Sequence, residues 1–108
     1  MKKLAALILF LALIGCGSAR RGLPLTGPME LNAEERAGQV AFMRTCHQCH
    51  PNGEGGLGPA INNKPLPSWL MEFQIRHGLG AMPAFDEDVL SDEEVDHIIA
   101  YIKQLRHE

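Results

Sequence analysis

The feature that most constrains this chain is a five-residue motif, Cys46-His47-Gln48-Cys49-His50. Two thiols three residues apart at a helix end can each add to one vinyl group of a porphyrin, and the next residue then places an imidazole beneath the iron. The pattern C-x-x-C-H is accordingly the attachment sequence of c-type haem. At the residue frequencies of this chain, chance would produce the pattern about 0.004 times. The motif therefore predicts one covalently attached haem c.

Three other interpretations of Cys46 and Cys49 explain the motif less well. A zinc site needs four ligands, usually arranged as two pairs, and no second cysteine pair follows. A thioredoxin-like dithiol is expected after a strand in a βαβ unit, whereas a helical pattern leads into this motif. A disulfide between the two residues would close a very short loop and would stabilise little. These alternatives stay open, and haem attachment is favoured over them.

The N-terminal segment predicts export. Lys2 and Lys3 precede an apolar run over residues 4–14, which is too short for a bilayer-spanning helix of about 20 residues. We therefore interpret residues 1–15 as a signal peptide. Residues 16–30 are rich in Gly, Pro and Arg and show no apolar period, which indicates a flexible tether. The folded domain is expected over residues 31–108.

The size and charge of the exported chain limit its stabilisation and its partners. Removal of Lys2 and Lys3 leaves eight of the ten Lys and Arg against 13 Asp and Glu, a formal charge of −5, so nucleic acid is not an expected partner. A domain this small buries only about 60% of its unfolded surface and usually needs a disulfide, a metal or a cofactor to stabilise it. Since Cys46 and Cys49 share one motif and Cys16 lies in the signal region, no disulfide framework is available. We therefore expect a prosthetic group to stabilise the fold.

The apolar pattern predicts an all-α fold with long connecting loops. One helix is expected to begin after Asn32, with Glu35 completing a capping box, and to run to about Cys46. Residues 67–77 predict a second helix, which Gly78 ends. The glycines, prolines and asparagines between the motif and this helix predict a loop that can lie flat against a bound group.

The last helix has the clearest pattern. Ser91 is the expected cap, Glu94 closes a second capping box, and Leu90 and Val95 are spaced to form a hydrophobic staple. An apolar stripe follows at helical spacing, formed by Val95, Ile98, Ile99, Ile102 and Leu105. No strand pattern competes with these helices.

Several spaced residues together resemble the small bacterial class I c-type cytochromes. They are, in chain order, Gly38, Phe42, the C-x-x-C-H motif, Gly56-Leu57-Gly58-Pro59, Gly80-Ala81-Met82-Pro83 and Tyr101. The resemblance covers about residues 31–108. It implies the cytochrome c fold, with three to four helices and long loops wrapped around one covalently bound haem. It also implies that the first and last helices cross at the glycine and aromatic positions.

The resemblance further implies roles for individual side chains. His50 would be the proximal iron ligand and Met82 the distal sulfur ligand. The backbone carbonyl of Pro59 would accept the other ring proton of His50. The indole N–H of Trp69 would donate to a haem propionate, although Trp69 could equally fill the core of its helix.

Position along the chain independently favours Met82 as the distal ligand. It follows Gly80 and precedes Pro83, so it lies on an extended loop that can offer its sulfur without an intervening helix. The other methionines after the signal lie on the tether, on the motif's own helix or in the middle of the second helix, where core packing is expected (Met29, Met43, Met71). His77, at the end of the second helix, is the rival ligand.

The remaining cysteine predicts an anchor. Leu13-Ile14-Gly15-Cys16 resembles the lipobox of bacterial lipoproteins, in which cleavage precedes the cysteine and lipid is attached to it. A lipidated Cys16 would hold the protein on the extracytoplasmic side of a bacterial membrane. In that family's sorting rule, Gly17 favours the outer membrane of a Gram-negative source. Ordinary cleavage after Gly17 or Ala19, which would discard Cys16, is the alternative.

Acidic residues are concentrated near the predicted distal loop. Seven of the eleven residues from 86 to 96 are Asp or Glu. Most of them are explained as solvated charge at a helix N-terminus. The alternative is a docking surface for the basic face of a redox partner.

These observations predict an electron-transfer protein, not an enzyme. The main hypothesis is a monomeric one-electron carrier with a redox-protein donor and acceptor, working in an extracytoplasmic respiratory or dehydrogenase chain. A second hypothesis is a dedicated haem subunit of one oxidase, reductase or dehydrogenase complex. A haem sensor or weak peroxidase, with Met82 unbound, is the least favoured hypothesis.

Overall fold

The computed structural model describes residues 29–106, and three α-helices form its framework. Helix α1 spans Ala33–Thr45, α2 spans Ser68–His77 and α3 spans Asp92–Leu105, with a single 3₁₀ turn at Pro51–Gly53. No strand occurs in the described part of the chain, where one isolated bridge pairs Leu79 with Met82. The predicted all-α fold with long loops is confirmed.

The N-terminal predictions lie mostly outside the described residues. The predicted signal peptide, Cys16 and the tether up to residue 28 all belong to the undescribed part. Met29, at the end of the predicted tether, packs against the hydrophobic core. None of the helices within residues 29–106 is both long and apolar enough to cross a membrane.

Both predicted capping boxes are present. At the start of α1, the side chain of Asn32 accepts from the amide of Glu35 at 2.9 Å, and the Glu35 carboxylate accepts from the Asn32 amide at 2.8 Å. Ser91 and Glu94 make the equivalent pair at the start of α3, at 3.2 and 3.0 Å. Arg44 donates to the Glu94 carboxylate, which lowers the pKa of that group and ties α1 to α3.

The centre of the fold is the crossing of α1 over α3. Gly38 allows the crossing, because a Cβ atom there would overlap the backbone carbonyl of His97. One turn later, the rings of Phe42 and Tyr101 meet edge to face with centroids 5.3 Å apart. The predicted crossing at these residues is therefore confirmed by the structure.

The hydrophobic core extends from this crossing, and α2 packs against it. All five residues of the predicted α3 stripe are at most 6% exposed. Leu90, the first residue of the predicted staple, is fully buried, as is Phe42. Helix α2 contributes Met71 and Ile75, each 5% exposed. The prediction that Met71 packs in the core is confirmed.

The loop after the motif is more ordered than its composition predicts. Pro51 starts a 3₁₀ turn, and Asn52 and Gly53 adopt positive φ values of 54° and 82°. The carbonyl of Gly53 accepts from the amides of Ile61 and Asn62 at 2.8 and 3.0 Å. These bonds fold the loop back on itself. The glycine and proline content of the loop does not predict this ordered structure.

The segment from Gly78 to Leu90 is fixed by one side chain, Arg76. Its guanidinium donates to the carbonyls of Phe85 and Leu90 at 3.2 and 2.6 Å and to the carboxylate of Asp92 at 2.5 Å. The amide of Phe85 also donates to the carbonyl of Ile75 at 2.9 Å. The Arg76 side chain is only 16% exposed, whereas that of Asp92 is 76% exposed, so the two carbonyl contacts are the more shielded ones. Together the contacts hold the segment between α2 and α3.

We predict that Gly38→Ala destabilises the haem-loaded protein by about 1–3 kcal/mol, because the new methyl group must push α3 away. Chemical denaturation measures this loss. Val40→Ala is the control, since Val40 is 69% exposed on the same helix and its truncation removes little packing. Helix propensity alone favours alanine over glycine by about 1 kcal/mol. A Gly38→Ala protein more stable than wild type would contradict the close crossing.

We predict that Arg76→Gln loosens the segment 78–90 before it affects the rest of the fold. Two partly buried carbonyls would lose their donor, a loss of about 1–3 kcal/mol. Amide hydrogen exchange should quicken at Met82 and Phe85 and stay close to wild type in α1. Arg36→Gln, at an exposed position of α1, is the matched control. Uniform quickening across all three helices would show that Arg76 supports the whole core and not this segment.

Candidate haem-binding site

The two motif cysteines are held by the last turn of α1. The amides of Cys46 and His47 both donate to the carbonyl of Phe42, at 2.8 and 3.0 Å, and the amide of His50 donates to the carbonyl of Cys46 at 2.9 Å. The motif therefore continues the helix as a tight turn. Cys46, Cys49 and His50 all line the same cavity as a result.

The chemistry of the cysteines suits thioether bonds better than the alternatives. Both are free thiols. Burial raises the pKa of the Cys46 thiol; the hydrogen bond with Thr45 opposes this, and nearby Cys49 adds to it. Within residues 29–106 there is also no cluster of three or more His, Cys, Asp or Glu that could hold a metal ion.

His50 is oriented by a backbone carbonyl. Only 8% of the residue is exposed, and its Nδ1 lies 2.7 Å from the carbonyl oxygen of Pro59. A carbonyl can only accept, so Nδ1 carries the proton and Nε2 keeps its lone pair for a metal. Gly58 lies against the ring, and a Cβ atom at that position would overlap Cε1 of His50. The contact that the resemblance implies between Pro59 and His50 is present in the structure.

Met82 reaches the same region from a two-residue hairpin. The amide of Leu79 donates to the carbonyl of Met82 at 3.1 Å, and the amide of Met82 donates to the carbonyl of Leu79 at 2.9 Å. Gly78 and Gly80 take positive φ values of 70° and 57°, which allow so tight a turn. The backbone of Met82 is thereby fixed while its side chain stays half-buried.

Two cavities meet at the motif. The larger has a volume of about 510 Å³ and the smaller about 380 Å³. Cys46, Cys49, His50 and Met82 line both of them. Most other residues of the larger cavity are apolar: Leu57, Pro59, Ile61, Leu66, Met71, Ile75, Leu79, Ala81 and Ile102. An apolar cavity with two thiols, an oriented imidazole and a thioether on its wall fits haem c.

Two residues weighed from the sequence lie outside these cavities. Trp69 is 67% exposed, so the interpretation that it fills the core is wrong. Its hydrogen bond to a propionate stays a prediction. His77 is exposed, stacks on Phe73 with ring centroids 4.2 Å apart, and donates from Nδ1 to the Phe73 carbonyl. This arrangement holds the ring of His77, the rival ligand, on the outer face of α2, whereas Met82 lies on the cavity wall.

Other lining residues were not foreseen from the sequence. Ile61 and Leu66 come from the loop before α2, and Gln74 and Arg106 come from α2 and the end of α3. Arg106 lies four residues after Ile102, so the helical spacing of the α3 stripe was a signal that could have placed it on the same face. No such periodicity marks the loop residues, because long-range folding of the loop brings them to the cavity.

Comparisons with known proteins identify the family of the chain. The family model described as "Cytochrome C oxidase, cbb3-type, subunit III" matches residues 33–102. The cytochrome c subunit of 4-cresol dehydrogenase [hydroxylating] from Pseudomonas putida is 28% identical over 83 residues, which cover 77% of this chain and 73% of that protein. Cytochrome c6 of Bryopsis maxima is 31% identical over 86 residues, which cover 70% of this chain and 90% of that protein.

A cytochrome c6 from Thermosynechococcus vestitus is also 31% identical over 86 residues, covering 69% of this chain and 73% of that protein. No solved structure matches the chain at a significant level. The matched region contains the α1–α3 crossing, the motif and the Met82 hairpin. The chain therefore belongs to the family described as cytochrome c oxidase, cbb3-type, subunit III, and is a small c-type cytochrome, an electron-transfer protein with covalently bound haem c.

Proposed function

We propose that this protein is an exported one-electron carrier whose haem iron is held by His50 and Met82. The observation that supports the proposal most directly is the shared cavity wall: both side chains line the same two cavities as Cys46 and Cys49. The two thiols would anchor the ring covalently, and the imidazole and the thioether would hold the iron. When bound, haem c supplies an iron that changes its oxidation state by one electron.

The residues around the site would set the preferred oxidation state. A thioether ligand favours ferrous iron and so raises the reduction potential. The hydrogen bond from His50 to Pro59 fixes the tautomer of the ring and makes Nε2 a stronger ligand for iron. The apolar lining limits access of water, which affects the potential further. A Met82 side chain on the cavity wall also argues against the sensor hypothesis, which requires an open position at the iron.

Proteins of this cytochrome family work outside the cytoplasm. We infer further that Cys16 is lipidated and that residues 16–30 form a tether linking the anchor to the haem domain. The supporting features are the Leu13-Ile14-Gly15-Cys16 sequence and the Gly- and Pro-rich stretch after it. A protein held in this way could reach several partners near one membrane surface. Signal cleavage beyond Cys16 remains the alternative.

The chain exchanges electrons with redox proteins. We favour a monomeric mobile carrier, with the acidic surface near α3 meeting a basic partner face. That surface is less charged than the sequence suggests, because Arg76 pairs with Asp92 and Arg44 pairs with Glu94. The relative from Pseudomonas putida is named as a subunit of a dehydrogenase. A dedicated subunit is therefore the second candidate, and stable co-purification with one oxidase, reductase or dehydrogenase would favour it.

We predict that Met82→Ala removes the sulfur-to-iron charge-transfer band of the oxidised protein and leaves covalent haem in place. The optical spectrum, with haem-stained denaturing electrophoresis, measures both. Met43→Ala is the matched control, since Met43 is 44% exposed on α1 and does not line the cavities. A band that survives in Met82→Ala, or disappears in Met43→Ala, would contradict ligation by Met82. Loss of the band should also lower the potential, because the thioether favours ferrous iron.

We predict that Cys16→Ser moves the haem protein from the membrane fraction to the soluble periplasmic fraction. Removal of the lipid acceptor abolishes the anchor and does not alter the haem site. Haem-stained electrophoresis of the two fractions, with mass measurement of the wild-type N-terminus, tests this outcome. Ser18→Ala is the control for changes near the cleavage site. A wild-type protein that is already soluble and begins after Cys16 would show ordinary signal cleavage.

A further inference from the structure

His47, which lies between the two motif cysteines, contacts the loop that follows the motif. The amide of Asn52 donates to its Nδ1 at 3.1 Å. An amide can only donate, so Nδ1 keeps its lone pair and the neutral ring carries its proton on Nε2. His47 is partly buried, and it lines neither of the two cavities. Haem attachment and iron binding therefore leave this imidazole without an assigned role.

The contact from His47 holds the start of the loop. Asn52 lies in the 3₁₀ turn of Pro51–Gly53 with a positive φ of 54°, a conformation that is uncommon for residues other than glycine. The next residue, Gly53, donates from its amide to the carbonyl of His50 at 2.9 Å, and its own carbonyl accepts from the two amides that close the loop. Pro59 lies between this turn and those amides. The turn is thus the fixed start of the stretch whose carbonyl reaches the proximal histidine.

A further contact between the motif and this stretch uses backbone atoms. The amide of Gly58 donates to the carbonyl of Cys49 at 2.9 Å. Because Pro59 follows directly, a displacement of the stretch changes the distance from its carbonyl oxygen to Nδ1 of His50, which is 2.7 Å. A backbone contact persists when a side chain is replaced, whereas the contact at His47 does not. A side chain at His47 therefore bears on the bond between His50 and Pro59.

We propose that His47 is a positioning residue for electron transfer. By accepting from the Asn52 amide, it fixes the path of residues 51–59 and thereby the strength of the hydrogen bond from His50 to Pro59. This inference rests on the proposed ligation of the iron by His50. It depends neither on the identity of the distal ligand nor on a lipid anchor.

The expected consequence is a change in the reduction potential. A strong hydrogen bond from Nδ1 to the carbonyl makes the imidazole more basic and a stronger ligand, which favours ferric iron. A longer and weaker bond therefore favours ferrous iron. Loss of the acceptor at His47 should raise the potential. Because one hydrogen bond near the surface contributes modestly, the change should be a few-fold in the ratio of ferrous to ferric protein.

The test compares two variants of similar shape. His47→Asn keeps an acceptor, because Oδ1 of asparagine stands as many bonds from Cα as Nδ1 of histidine, whereas His47→Leu places a methyl group there. Both keep the C-x-x-C-H pattern, whose two middle positions are free, so haem attachment should be retained.

Spectroelectrochemical titration of the holoproteins measures the midpoint potentials. For His47→Leu we expect the ferrous-to-ferric ratio at the wild-type midpoint to rise about three-fold, which corresponds to about 28 mV for one electron. His47→Asn, which retains the hydrogen bond, should stay within about 1.5-fold of the wild-type ratio.

Amide hydrogen exchange of the ferrous holoproteins shows where the loop loosens. In His47→Leu, exchange should quicken at Asn52, the direct partner, and at Ile61, whose amide closes the loop, and should stay close to wild type in α3. Nitrogen NMR of the wild-type protein should show neutral His47 protonated at Nε2. The same NMR spectra test ligation separately, because bound haem strongly shifts the ring protons of His50, so failure of the ligation and failure of this inference are distinguishable.

Three results would overturn the proposal. The first is a His47→Leu potential that equals that of His47→Asn or falls below wild type. The second is a raised potential with unchanged exchange at Ile61, because the substitution would then act through local polarity and not through the loop. The third is a wild-type His47 protonated at Nδ1.

A second variant covers the case in which His47→Leu fails to retain haem. His47→Gln then replaces it, because the acceptor of glutamine lies one bond further from Cα and is displaced from the Asn52 amide. A His47→Gln protein with the wild-type potential and wild-type exchange would contradict the proposal. If neither variant retains haem, the tautomer of His47 in the wild-type protein decides.

Discussion

The close crossing of α1 over α3 is the constraint on which the rest of the structure depends. Gly38 lets the two backbones approach, and the Phe42–Tyr101 contact then fixes how they are rotated. Because the motif directly follows α1, this crossing determines where both cysteines lie. The same crossing sets the apolar face of α3 opposite them, including Ile102 on the cavity wall. The covalent attachment site and the cavity are thus positioned by one helix pair.

The remaining parts of the site are supplied by loops, and each loop is fixed by polar contacts with the helices or with itself. Gly53 closes the first loop through its carbonyl, and Pro59 then reaches His50. Arg76 fixes the second loop, which carries Met82, between α2 and α3. Ile61, Leu66 and Phe85 also pack from these loops against the hydrophobic core. The site therefore combines a helix pair with loops that both hydrogen bonds and apolar contacts hold in place.

The helices and the haem-attachment motif could be recognised from the sequence, because both depend on the local spacing of residues. The two capping boxes and the burial of the α3 stripe are short-range patterns and were confirmed, and both residues of the predicted staple are buried. The 3₁₀ turn at Pro51 and the exposure of Trp69 were not predicted. The turn depends on the path of the loop, which long-range contacts decide, and the exposure of Trp69 depends on which face of α2 packs against the core. Arg106 was missed although it follows Ile102 by four residues, because that spacing places it on the apolar face of α3 but does not show that a cavity lies there.

The contact between His50 and Pro59 has a consequence for how the protein can change over generations. The acceptor is a peptide oxygen, which every amino acid provides, so no single substitution at position 59 deletes it. A change there can shift the oxygen only through the path of the chain. The imidazole thus keeps an acceptor for its Nδ1 proton whichever side chain stands at position 59. The contact to His50 therefore does not depend on the identity of the side chain at position 59.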